Sequence, residues 1–271
     1  MADGDPNDLY DGGFPAWALP PDETGARFAR SVVKAVFGAL GLPPGVTYDT
    51  AVALSELATN VHRHARQAAP PHAPRQAVAL PDAARDAAKP PAGGPELWAY
   101  LRGGTCPEVV LKMYDSAPWR GSPGPLRPPP GAEGGRGLEV VAALTAEHGG
   151  RWGVHRTRSR LGGGAVPGKA VYVALPLPAG RALPAPKPYR VVAGELHDLL
   201  AARGLGRMHR SCGYGMAVIC VRAGVHLWIR ADSLSYCAPG QGTRRYPPAD
   251  TVEVAEQVVR CCEDLDAGLP C

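Results

Sequence analysis

Apolar residues fall at helical spacing in two stretches near the start of the chain. Phe28, Val32, Val33, Val36, Phe37 and Leu40 form one stripe, with Asp22 or Thr24 placed to cap it and Gly41 to stop it. LPPG at 42–45 reads as a turn. A second helix follows Thr47 or Asp49, with Leu54, Leu57, Val61 and Ala65 as its apolar stripe. The runs Glu96–Arg102 (ELWAYLR) and Pro107–Tyr114 (PEVVLKMY) predict two strands joined by a GGTC turn as a hairpin. Leu138–His148 has helical spacing, Trp152–Thr157 reads as a strand, SRLGGGAVPGKA as a turn, and Val171–Leu177 as an alternating strand. Further on, Tyr189–Ala202 predicts a helix and Met216–Val221, Val225–Arg230 and Leu234–Cys237 predict short strands. PPADTVEVAEQVVRCCEDL (247–265) predicts a closing helix with apolar positions at Val252, Val254, Ala255, Val258 and Val259.

The stretches without pattern divide the chain. Residues 1–16 read as a disordered, solvated tail. Residues 66–95, nearly all Ala, Pro, Arg, Gln and Gly, read as a flexible insertion whose prolines forbid a continuous helix. Residues 179–188 (AGRALPAPKP) read as a Pro-stiffened linker. The expected organisation is therefore one domain over 17–178 and a second, small α/β domain over 189–271.

Composition narrows this picture. With 45% hydrophobic and 20% charged residues in 271, the chain can build a core and is not wholly disordered. The 34 Gly and 30 Pro predict long irregular connections. A net charge of +4 is too small to argue for nucleic acid, even with the Arg-rich stretch RWGVHRTRSR at 151–160. No run approaches ~20 apolar residues, and the acidic start has no apolar core, so the expectation is a cytoplasmic protein that neither spans a membrane nor carries a secretory signal. The seven Cys include no CxxC pair; free thiols are the expected state, with a zinc site from Cys212, Cys220, Cys237, Cys261 and Cys262 as the alternative. In the C-terminal unit Arg203, Arg207, Arg210, Arg222 and Arg230 read as a solvated basic face, with a partner-docking module as the functional alternative.

The strongest local chemistry lies in SELATNVHRHA, residues 55–65. Glu56, Asn60 and His64 recur every four residues and share one helical stripe. A carboxamide oxygen suits a hard cation such as Mg²⁺, and a carboxylate one turn away can orient or deprotonate a nucleophile. By itself the stripe also reads as an exposed polar face. His62 and His64, two apart on a helix, point to different faces and do not chelate together. GGAVPGK at 163–169 imitates part of a P-loop, but Ala170 lacks the required hydroxyl and a strand follows where a helix is needed.

Several segments in order resemble the GHKL ATP-binding fold of sensor histidine kinases and anti-sigma-factor serine kinases. Glu56 to Asn60 resembles the N-box. Asp115, in MYDSAP at the end of an apolar strand, stands where that fold has its adenine-binding Asp. Gly135 and Gly137 with Leu138 resemble the second glycine box, with Arg136 between the glycines in reach of phosphate. Gly168-Lys169-Ala170-Val171 resembles the Gly-containing turn before the last strand. Trp17-Ala18-Leu19-Pro20 and the helix carrying Ala26-Arg27 and Ala29-Arg30 are similar to the start of the actinobacterial anti-sigma-type members. One departure is plain: the first glycine box has glycines two and four positions after its Asp, whereas here Ser116-Ala117-Pro118 follow and the first Gly is Gly121.

The resemblance implies an α/β two-layer sandwich, a mixed sheet covered on one face by helices, with ATP and Mg²⁺ as ligands. It implies Asn60 on the metal, Glu56 as general base, and Asp115, Gly135, Arg136, Gly137, Leu138 and Lys169 around the nucleotide. The implied activity is transfer of the γ-phosphoryl group to a Ser or Thr of an antagonist (anti-anti-sigma) protein, with a sigma factor as a further partner, no direct nucleic-acid contact, and homodimerisation left open. The alternative is a non-catalytic, nucleotide-dependent protein-binding module.

Overall fold

The structure, a computed structural model, describes residues 4–68, 91–117, 136–181 and 183–271, without the side chains of 64–68 and 136. Its helices are α1 (Thr24–Leu40), α2 (Pro44–Ala68), α3 (Arg136–Glu147), α4 (Tyr189–Ala202) and α5 (Thr251–Asp266). Its strands are β1 (Ala16–Ala18), β2 (Glu96–Arg102), β3 (Glu108–Asp115), β4 (Arg151–Arg158), β5 (Pro167–Pro176), β6 (His209–Cys212), β7 (Met216–Arg222), β8 (Val225–Arg230), β9 (Leu234–Cys237) and β10 (Arg244–Tyr246). Two five-stranded sheets result, ordered β1-β2-β3-β5-β4 and β10-β9-β8-β7-β6. The expected α/β sandwich is present. The first sheet, expected to be mixed, is antiparallel in every described pairing.

Alternation along β3 explains the layers. Val109, Leu111 and Met113 face one way, into a core with Val33, Phe37, Leu54 and Leu57 of α1 and α2. Val110 and Tyr114 face the other way, into a second core with Phe14, Trp98 and Tyr100. Helix α1 ends where its stripe ends, at Gly41, whose φ of 70° is open to glycine at little cost. Helix α2 starts at Pro44, inside the segment expected to be a turn, because Pro is pre-organised for the first helical turn. The turn expected before the last strand is shorter than its sequence suggested: Pro167 to Ala170 already belong to β5.

The expected disordered tail needs correction. Residues Pro6–Asp11 form a 3-10 helix begun by Asp5, whose Oδ1 accepts the Asn7 N–H at 2.9 Å. Leu9 is fully buried against the helical layer, and the Phe14 ring sits edge-on to Trp98 and Tyr100. Two isolated apolar side chains make no periodicity, yet burying each stabilises by about 1.5–3 kcal/mol, enough to hold a short segment. The insertion at 66–95 lies largely outside the described residues; α2 continues through Ala68 and β2 begins at Glu96.

Residues 189–271 do not hang from a linker. Helix α5 lies between the sheets. Val254, Ala255, Val258 and Val259 face the core of the second sheet. Glu253, Glu256, Glu263 and Asp264 face the back of the first. The Tyr100 hydroxyl donates to Glu253 Oε2 at 2.6 Å, Lys112 Nζ to Glu256 Oε2 at 3.0 Å, and Arg156 pairs with Asp264 at 3.3 Å. Arg158 pairs with Glu263, and Arg203 with Glu256. Arg203, expected on a solvated face, is 3% exposed, donates to Thr157 Oγ1 at 2.6 Å and lies 4.7 Å over the Trp98 ring. Its place is set by Glu256, which gives a buried cation its required partner.

The cysteine expectation also changes. Beyond α5 the chain turns back through Gly268 (φ 71°), bringing Cys271 onto the helix face that carries Cys261, and the two form a disulfide. Cys106, Cys212, Cys220, Cys237 and Cys262 are free thiols. Among the described residues no group of His, Cys, Asp or Glu is placed to hold a metal, which removes the zinc alternative. Nor is any described helix long and apolar enough to cross a membrane.

Two buried groups at this inter-sheet layer titrate in opposite senses. Burial, aided by Lys112, pushes His155 down to about 3 from 6.5, with Glu256 opposing. The folded state therefore refuses a proton that the unfolded chain takes up, and stability falls as pH drops through that window. Burial pushes Asp250 up to about 6 from 3.8, so its contribution is present at low pH and is lost as pH rises from 3.8 to 6. Each amounts to about 1.4 kcal/mol per pH unit where fully expressed, and between pH 4 and 6 the two nearly cancel. His155→Gln should therefore make stability rise on acidification through this range, and Asp250→Asn should make it fall more steeply. Urea unfolding at pH 4.5, 5.25 and 6 reads both slopes; identical slopes in all three proteins would refute the assignment.

Candidate nucleotide site

The helical face of the first sheet gathers most of the candidate residues. Glu56 and Asn60 are half-buried and one turn apart on α2. The first turn of α3 lies directly against them. A Cβ placed on Gly137 would sit 2.9 Å from Asn60 Nδ2, 3.3 Å from Glu56 Oε2 and 3.6 Å from Glu56 Cβ. Only a residue without a side chain fits there unless Asn60 is displaced. The free N–H groups of the first turn of α3 are thus held beside a carboxylate and a carboxamide, at the helix end that favours anions. The far end of α3 is tied to α2 as well, since His148 Nε2 lies 2.8 Å from Asp49 Oδ2. Leu138 is half-buried and packs on the core under the helices.

A second cluster closes β3. Asp115 follows Met113 on the helical face and is 6% exposed. Its Oδ1 accepts the Ala117 N–H at 2.5 Å, and its Oδ2 lies 2.8 Å from Lys169 Nζ, on the residue paired with it across β5. Gly168 is obligatory beside it, because a Cβ there would come within 2.4 Å of the Asp115 carbonyl oxygen.

The structure therefore brings Glu56, Asn60 and Gly137 together, and Asp115 with Lys169. Lys169 neutralises the Asp115 carboxylate, a partnership that sequence spacing does not reveal because it depends on strand register. Gly135 and the lid segment 119–134 lie outside the described residues. The Arg136 backbone opens α3, and its side chain also lies outside the described residues. His62 is no metal ligand: its Nδ1 is 2.7 Å from the Pro21 carbonyl oxygen, joining α2 to the segment before α1.

Residues 19–159, just over half the chain, match the family model for the histidine kinase-like ATPase domain. The chain belongs to the histidine kinase-like ATPase family. No curated protein matches it. The matched span contains Glu56, Asn60, Asp115 and Gly137, and stops short of Lys169. This ATPase domain is an ATP-binding module, and its described residues suit that ligand. The α3 N-terminus supplies backbone donors for phosphate, and the side-chain-free surface at Gly137 leaves room for close approach. Asn60 offers the neutral oxygen that a hard cation takes. Gly137→Ala is expected to weaken ATP binding at least tenfold, since the new methyl group must displace Asn60 by several tenths of an ångström. Calorimetric titration with Mg²⁺–ATP measures this.

Proposed function

We propose that the protein is a Mg²⁺–ATP-dependent serine/threonine protein kinase of the anti-sigma-factor type, acting on an antagonist protein. The observation that carries this reading is Glu56 and Asn60 meeting the first turn of α3 at Gly137. Asn60 would hold Mg²⁺, which when bound neutralises charge on the β- and γ-phosphates. The backbone N–H groups at the start of α3 would hold the phosphate oxygens, with Arg136 beside them. Asp115 would accept the adenine amino group, fixing the base, while Lys169 keeps its carboxylate ionised and pointed. Glu56 would take the proton from the attacking serine or threonine hydroxyl, so that the oxygen gains a phosphoryl group as it loses its hydrogen. The partners that follow are the antagonist and a sigma factor.

One observation favours a second reading, a non-catalytic module whose nucleotide sets the shape of a protein-binding surface. Asp115 already has a partner at each oxygen, Ala117 N–H and Lys169 Nζ, which compete with adenine for the carboxylate. Nucleotide titration separates an adenine site from this. ATP should bind in a Mg²⁺-dependent way and more tightly than GTP, and Asp115→Asn should weaken ATP by about 2–100-fold, the range of one lost hydrogen bond. Equal affinity for ATP and GTP would defeat the adenine assignment.

A further inference from the structure

The second sheet holds a cavity that belongs to no part of the nucleotide site. It lies between β9, the loop into β10, and α5, and measures about 60 Å³. That is several times the space one water molecule needs. Tyr236 comes to it from β9, Gln241 from the loop, Arg244 from the start of β10, and Gln257 and Arg260 from one face of α5. The disulfide Cys261–Cys271 forms a further wall.

Two wall atoms are buried without a hydrogen-bond partner among the described residues: the Tyr236 hydroxyl oxygen and Gln241 Oε1. Tyr236 is only 2% exposed. A buried polar atom left unpaired costs about 1–3 kcal/mol, so two of them lining one cavity mark a place built to meet something. Their chemistry differs. Burial pushes the Tyr236 pKa up, so its hydroxyl keeps its proton and can donate. Gln241 Oε1 can only accept. The guanidinium groups of Arg244 and Arg260 add positive charge, and no carboxylate side chain lines the wall. Arg260 Nε is 3.6 Å from Asp264 Oδ2, a contact too long to be a hydrogen bond. Gln257 gives its amide N–H to Glu253 Oε1 at 2.8 Å, which leaves its carbonyl oxygen in the wall.

We propose that this cavity is a binding site for a small oxyanion that still carries a proton, of which hydrogen phosphate is the simplest. Its unprotonated oxygens accept from Tyr236 and from the arginines, and its single P–OH donates to Gln241 Oε1. That pairing satisfies both orphaned atoms at once, which neither a bare cation nor a fully deprotonated anion does. The enclosure selects the free ion over a phosphate ester, because an ester carbon replaces one of the four oxygens and must leave through the wall. The site is built entirely from residues 236–271, and its existence does not depend on kinase activity in the other half of the protein.

Isothermal titration of the full chain at pH 7 with inorganic phosphate tests this, with sulfate and O-phosphoserine as parallel ligands. Phosphate should bind saturably. Sulfate, which has the same shape but no proton at this pH, should bind at least tenfold more weakly because Gln241 Oε1 then faces an acceptor. O-phosphoserine should also bind at least tenfold more weakly. Tyr236→Phe and Arg244→Ala should each weaken phosphate by about tenfold or more. Tyr236→Phe should at the same time leave the thermal midpoint in phosphate-free buffer unchanged or higher, since it removes an unpaired hydroxyl. No saturable phosphate binding, meaning that the cavity holds water only, would overturn the proposal. So would equal binding of sulfate, or binding that both variants leave unchanged, which would place the ion at the nucleotide site instead. Tighter binding of O-phosphoserine would overturn the choice of the free ion.

Discussion

Glu256→Ala is expected to destabilise the protein by about 3–5 kcal/mol, the cost of breaking a buried ion pair by removing one partner. Glu256 is 1% exposed and accepts from both Lys112 and Arg203, whose side chains are each 4% exposed. Arg203 and Lys112 pull the Glu256 carboxyl down to about 2 even though burial pushes it up. The variant leaves two cations between the sheets with no anion directly on them. Glu256→Gln keeps the volume and one acceptor and should cost less. The triple variant Lys112→Met, Glu256→Leu, Arg203→Met should recover much of the loss, because an apolar replacement removes the desolvation penalty along with the attraction. Urea unfolding reads the series. A change under about 1 kcal/mol for Glu256→Ala would mean that water reaches this layer and that α5 does not seal the first sheet.

The second large effect concerns the chemistry. Glu56→Ala should slow phosphoryl transfer by ~100-fold or more while leaving nucleotide affinity nearly intact, because a general base acts in the transition state rather than in ground-state binding. Asn60→Ala should lower affinity for Mg²⁺–ATP and transfer together. The measurement is transfer from labelled ATP to antagonist-type proteins of the same genome, alongside nucleotide titration. Normal ATP affinity in the wild type with no phosphorylated serine or threonine, and a Glu56→Ala protein that captures its partner unchanged, would favour the non-catalytic module.

Much of the architecture was legible because its elements carry their own periodicity. Tyr189–Ala202, the β2–β3 hairpin, and the place of Asp115 at a strand end all follow from spacing. What escaped was set by partners distant in sequence. Strands β6 and β10 are short and largely exposed, and only pairing with β7 and β9 makes them strands. Leu9 and Phe14 are single anchors in a polar segment. Arg203 looks like any surface arginine until Glu256, 53 residues away, is placed beside it. The Lys169–Asp115 pair required the register of β3 against β5. Likewise the disulfide could not be read from spacing, since Cys261 and Cys271 meet only after the chain reverses beyond α5. In the candidate site, the helical stripe of Glu56 and Asn60 was readable, but their contact with Gly137 was not, because it depends on how α3 crosses α2.

Helix α5 serves as a wall for both sheets, and this sets the order in which the chain can finish folding as it is made. The Tyr100 hydroxyl meets its acceptor on Glu253, 153 residues further along. At a synthesis rate of about 5–20 residues per second, roughly 10–30 s separate the appearance of the two on the ribosome. During that interval Trp98, Tyr100, Lys112 and Tyr114 have no cover from α5, and a nascent ATPase domain with all its strands already made still presents a wet, partly aromatic back. A chaperone that shields such surfaces would find its longest opportunity there, and a stalled chain ending before residue 251 would be the species most prone to aggregate.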